Sequence, residues 1–172
     1  MSLLGDTSMD SPVQEHRVHV ANDLQWITGT LETLGNPHNY VNQEGQDFLT
    51  VKDAQIAPWT FTALPTSQAP QILLQRANTQ FLIFPGEDAQ EQYREPPRTA
   101  EVILNLPLAI LKGRVPMMSE AKVENFLDFW KGDFVPLTDA SIYYLGEAPV
   151  ELPEKADLLY VNSILLQSYV EA

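Results

Sequence analysis

Three histidines and two pairs of recurring aspartates are the side chains in this 172-residue chain whose types suit acid/base or metal chemistry. His16 and His19 stand three apart, and His38 follows Pro37. In a strand a separation of three sends two side chains to opposite faces, so His16-x-x-His19 is not expected to share a metal. The histidines are expected in solvent. Asp47 with Asp133, and Asp53 with Asp139, invite a paired-carboxylate reading. Each occurs once per copy of a repeated segment, at an expected strand end where carboxylates commonly satisfy turn amides, and no second acid or histidine recurs beside it. A structural role is expected for them. No glycine-rich phosphate loop, nucleophile elbow or zinc-binding spacing is present, and without cysteine there is no disulfide or thiolate chemistry. The expectation is therefore no catalytic residue, no cofactor and no metal.

The aromatics Trp26, Trp59, Phe61, Phe81, Trp130, Tyr143 and Tyr144 have faces that stack on bases in single-strand binders. Such surfaces normally come with positive charge, because phosphate contacts dominate affinity. Here the formal charge is −13, by count −2 in residues 1–14, −3 in 15–86, −3 in 87–97 and −5 in 98–172. That balance argues against nucleic acid and makes core or interface the expected place for the aromatics.

The elements that must position these residues come as a repeat. Asp133 to Ile142 (DFVPLTDASI) has a twin at Asp47 to Ile56 (DFLTVKDAQI), with Asp, Phe, Asp, Ala and Ile at the same offsets. Trp26 to Leu31 lies over Ile110 to Val115, with Gly29 and Gly113 in register, at an offset of 84. Leu74 to Leu82 is laid over Leu158 to Leu166 at the same 84, against 86 for the central pair, which requires compensating loop insertions. The chain therefore divides into a disordered arm (1–14), a first module (15–86), an acidic linker (87–97) with room for one helical turn, and a second module (98–172).

Within the first module, Arg17 to Val20 alternates as a half-buried strand, Asn22-Asp23 supplies a turn, and a longer strand runs from about Gln25 to Leu34. Gly29 and Gly113 mark either a sharp bend with close backbone approach or a plain bulge. Asn36-Pro37 reads as an N-cap and first helical residue, with Gly45 as a stop. Ser119 is expected to cap a longer helix carrying Val123, Phe126, Leu127 and Trp130, ended by Gly132. The twin strand follows, and Pro136 favours an edge or bulge in its second copy. Two short apolar strands then close each module around Asn78-Thr79 or Asn162-Ser163. No apolar run approaches the ~20 residues that span a bilayer, and no signal peptide opens the chain, so a soluble protein, cytoplasmic by default, is expected.

This order of elements, with the Asp53-Ala54 and Asp139-Ala140 pairs and Leu74-Gln75-Arg76-Ala77-Asn78, resembles the Sm and Lsm family. The Phe-x-x-x-Thr-Asp-Ala element at Phe134 to Ala140 is similar to uncharacterised bacterial proteins of Sm-like type. The resemblance implies a mainly β chain of two repeated five-stranded barrels, each with a short helix between its second and third strands. It also implies RNA contacts at Arg76 and Asn78. The pattern departs from the family at Phe48 and Phe134, where RNA-binding members carry Asn, and at Ala77 and Val161, where they carry Gly. Tyr160 is expected to replace the arginine in the second module. Family members join edge strands into rings, which implies self-association or protein partners through the strands holding Phe81, Ile83, Ile164 and Leu166, in rings of about six or eight barrels. The reading is a non-enzymatic assembly module. The alternatives are an Sm-like RNA binder, and a small-ligand or hydrolase site between the modules using Asp53 and Asp139.

Overall fold

The computed structural model describes residues 12–118, 120–130 and 132–172. The chain is mainly β. In order, the elements are β1 (Val13–Asn22), β2 (Gln25–Leu34), α1 (Pro37–Val41), β3 (Phe48–Pro58), β4 (Ser67–Gln75), β5 (Thr79–Ile83) and α2 (Glu87–Gln92). There follow β6 (Thr99–Asn105), β7 (Ala109–Pro116), α3 (Phe126–Phe129), β8 (Phe134–Tyr144), β9 (Lys155–Asn162) and β10 (Ser168–Glu171). All ten strands form one antiparallel sheet in the order β10-β6-β7-β8-β9-β5-β1-β2-β3-β4. Each half runs fifth, first, second, third, fourth. The halves meet where β9 pairs with β5.

Local chemistry explains the first turns. The Asn22 carboxamide accepts from the amides of Leu24 and Gln25, both at 3.0 Å, and closes the β1–β2 hairpin. Asn36 caps α1 by accepting from the His38 amide at 2.8 Å, with Pro37 in the first turn. The helix ends at Val41, before Gly45 is reached.

Both halves carry the same defect in the same place. Between the pairs Thr28↔Gln55 and Thr30↔Lys52, one residue of β2 faces two of β3. Between Lys112↔Ser141 and Arg114↔Thr138, one residue of β7 faces two of β8. This is a β-bulge, which bends the sheet. The facing residues are Gly29 and Gly113. A Cβ on Gly29 would lie 2.6 Å from the Lys52 carbonyl oxygen, and one on Gly113 would lie 2.8 Å from that of Thr138. Asp53 and Asp139 hold the bulge with φ of 49° and 51°. Asp tolerates that left-handed geometry better than most residues. Asp53 and Asp139 thus lie inside long strands, whereas Asp47 and Asp133 stand at strand ends as expected, immediately before β3 and β8.

The third segment of the repeat is shifted relative to the alignment drawn from the sequence. Phe48↔Gln75 in β3–β4 corresponds to Phe134↔Asn162 in β8–β9, and the 3-10 turn Arg76–Asn78 corresponds to Ser163–Leu165. The offset is 87 there, so it grows from 84 through 86 without compensation. Arg76 is matched by Ser163, not by Tyr160. Ile164 and Leu166 therefore do not lie in the last strand: Ile164 is in the 3-10 turn and Leu166 follows it. A short apolar run such as Leu158 to Val161 offers several equally good registers, and only pairing chooses among them.

Other expectations also change. Val13 and Gln14 of the expected arm begin β1, and residues 1–11 lie outside the described set. Residues 87–92 of the expected linker form α2, in keeping with the helical turn expected there. The long second-half helix is only a 3-10 turn, Val123–Asn125, followed by α3, and Ser119 lies outside the described residues. Pro136 sits in β8 beyond the last β7 partner, Thr138, so its missing N–H breaks no β7–β8 bond.

Nor do the halves keep separate cores. One cluster joins Trp26, Trp59, Phe81 and Ile83 to Val102, Leu111, Leu137 and Leu159. The other joins Val18, Ile27, Leu31 and Leu82 to Phe134, Leu158 and Tyr160. Strand β5 is buried on both faces. What the pairing shows is one open sheet, not two independent barrels. Among the described residues no helix is long and apolar enough to cross a membrane.

Candidate functional site

The junction between the halves is short but fastened at both ends. Its ladder pairs Phe81↔Val161, Leu82↔Tyr160 and Ile83↔Leu159. At one end the buried Asn162 donates to the carbonyls of Ala77 at 3.2 Å and Thr79 at 3.0 Å, and accepts from the Ile164 amide at 3.1 Å. Nearby, Asn42 acts as a surrogate peptide for β8, donating to the Phe134 carbonyl at 2.9 Å and accepting from its amide at 2.8 Å. At the same end buried Gln80 accepts from the Leu108 amide at 3.1 Å and donates to Asp23 at 2.6 Å, while at the far end the Phe84 amide donates to the Leu158 carbonyl at 3.2 Å. Buried polar groups satisfied in this way fix one arrangement of the two halves.

Arg76 belongs to this junction. Its guanidinium donates to the carbonyls of Val41 and Gln43 and lies 3.5 Å from the Asp133 carboxylate of the other half. Asn78 is exposed and donates to its neighbour Gln75. Phe81 and Ile83 line the junction itself, whereas Ile164 is 67% exposed and Leu166 packs against the core.

The same strands recur at the two ends of the sheet without a neighbour. By the 87-residue offset β4 is the counterpart of β9, and β10 of β5; among the described residues each is paired on one side only. On these edges Leu73 is 56% exposed and Val170 53% exposed, with Ile72 and Tyr169 half-buried. Exposed apolar residues on an unpaired edge invite another strand. No lysine, proline or bulge lies among Ile72, Leu73 and Leu74 to discourage it.

Asp53 and Asp139 are not brought together. Strands β9, β5, β1 and β2 intervene between β8, which holds Asp139, and β3, which holds Asp53. Asp139 pairs in solvent with Arg114 at 3.0 Å, and Arg114 also binds Glu95. That ion pair holds the Glu95 carboxyl below its usual range.

The histidines are less exposed than expected. His16 lies edge-on to Phe84, and His19 stacks on Trp26 with its Nδ1 buried and unpartnered. His38 borders a cavity of about 250 Å³ with Tyr93, Arg94, Met117, Phe126 and Trp130. Its Nδ1 is 3.2 Å from the Tyr160 hydroxyl. Burial lowers the pKa of all three imidazoles, and pushes Tyr93 up to about 12 with help from Glu95.

Asn42, Gln80, Asn162 and the His38 cavity escape a reading of the sequence. A one-letter carboxamide carries no mark of burial. A shift of the third segment by three residues would have aligned Asn162 with Gln75 and drawn attention to it. Comparison of the chain with family models, curated proteins and solved structures yields no match.

Proposed function

We propose that this chain is a non-catalytic assembly module: two Sm-like five-stranded units fused in tandem, which join copies of the chain head to tail through β4 and β10. The observation that carries this reading is the internal β5–β9 junction, for which the outer edges hold the two missing halves. Transposing its ladder by 87 residues pairs Leu74 with Ser168, Leu73 with Tyr169 and Ile72 with Val170 of the next chain. The exposed Leu73 and Val170 lie in that ladder. The contact is heterologous, so repetition gives a ring where the rotation closes. Each half would then be a coiled, barrel-like unit, and its bend draws support from the two Gly–Asp bulges.

RNA binding draws less support, since Arg76 is already held by two carbonyls and Asp133 and the chain carries a formal −13. An acid-pair hydrolase draws less still, with four strands between Asp53 and Asp139. Light scattering coupled to gel filtration tests the assembly. The expected mass is several times 19.3 kDa. A monomer that persists at concentrations of about 100 μM, where even weak edge contacts associate, overturns it.

A further inference from the structure

The His38 cavity is the place where the repeat does not account for what is built. It is bounded by α1 of the first half, by residues 93–96 that run between the halves, and by the end of β7 and α3 of the second. We propose that it binds a small aromatic monocarboxylate, with the ring against Met117, Phe126 and Trp130 and the carboxylate at the mouth between Arg94 and Nε2 of His38. This reading is independent of whether the sheet edges associate.

Three observations carry it. The walls are apolar and aromatic, and a cavity of about 250 Å³ suits a single ring with a short polar arm. Arg94 lines the cavity, is exposed and has no ion pair or hydrogen bond among the described residues, and none of the described lining residues is a carboxylate. In a chain of formal charge −13 that is an unusual local balance, and a guanidinium is well shaped for a carboxylate. Finally, the Tyr160 hydroxyl has His38 Nδ1 as its hydrogen-bond partner. With Tyr160 donating, the neutral imidazole carries its proton on Nε2, which has no partner among the described residues and is available to donate to an anion. An organic cation would also suit aromatic walls, but here it would meet Arg94 without a counter-charge.

The test uses the full chain, ¹⁵N-labelled, titrated with phenylacetate and separately with phenethylamine, which has the same ring and the opposite charge. Phenylacetate is expected to shift the amides of Tyr93 and Met117 and the Trp130 indole, with a Kd of about 1 mM or tighter for a ligand of this size. Phenethylamine is expected to bind at least about tenfold more weakly, and Arg94→Glu to weaken phenylacetate by about tenfold or more. Because Arg94 is exposed, its replacement leaves the fold intact, as an otherwise unchanged spectrum will show. Absence of shifts at about 20 mM phenylacetate, well above the expected Kd, overturns the proposal. Equal or tighter binding of phenethylamine overturns it as well, and so does an Arg94→Glu variant of unchanged affinity.

Discussion

At the residue scale, Gly29 and Asp53 are two sides of one requirement, and Gly113 and Asp139 repeat it. Their recurrence is legible in the sequence. Their opposition across a bulge is not, because a bulge is a relation between two strands whose register is set by tertiary pairing. Gly29→Ala is expected to cost about 1–3 kcal/mol, since its Cβ would meet the rigid Lys52 carbonyl as well as the Val51 side chain, and the backbone cannot turn away. Asp53→Val should cost about 1–2 kcal/mol for a β-branched residue at positive φ, whereas Asp53→Gly should be near neutral or stabilising. Urea denaturation of the three variants decides this, and equal losses for Val and Gly at position 53 would refute the backbone account. The histidines give a second residue-level expectation. Their folded pKa values lie below the ordinary 6.5, so the unfolded chain binds more protons as pH falls through and below that value. Stability is then fully present above about pH 6.5 and declines towards pH 5.5, by at most about 1.4 kcal/mol per pH unit for each histidine. Denaturation at pH 7.5 and 5.5 measures it, and His19→Gln should reduce the slope.

At the element scale, the strands are legible from alternation and turn residues, and their order from the repeat, up to β9. Beyond it the apolar stretch Leu158 to Val161 and the following Ile164 to Leu166 present two registers three residues apart. Asn162 decides between them in the fold, ending β9 and bonding back to the carbonyls of Ala77 and Thr79 at the start of β5. Asn162→Ala would leave buried acceptors without a donor and is expected to lower stability by about 1–3 kcal/mol. Asn78→Ala, its expected equivalent in the sequence alignment, removes an exposed contact to Gln75 and should change stability by no more than about 0.5 kcal/mol. Thermal or denaturant unfolding of both separates a junction residue from a surface one. Similar effects at the two positions would count against the 87-residue correspondence.

At the scale of the whole molecule, mainly β composition is legible but the union of the halves is not. Phe81 to Ile83 is apolar on both faces, and such a strand reads the same whether its own half or another covers it. Here both halves do. The question that remains is what covers β4 and β10, and polarity makes the answer testable. A lysine on an edge strand blocks added strands at little cost to the fold. Leu73→Lys should disable β4 and leave β10 intact; Val170→Lys should do the reverse. If β4 meets β10, each variant alone can form no junction and runs as a 19.3 kDa monomer in light scattering. An equimolar mixture then regains one junction, between β10 of the first variant and β4 of the second, and runs at about twice that mass without growing further. A ladder of about three pairs is weak by itself, so the mixed dimer should dissociate on dilution well before the wild-type assembly, whose closure makes every junction reinforce the others. Like-with-like pairing predicts the opposite, a dimer from one single variant through its intact edge. Single variants that retain the wild-type mass, or a mixture that stays monomeric at about 100 μM, would remove β4 and β10 as the assembly surface.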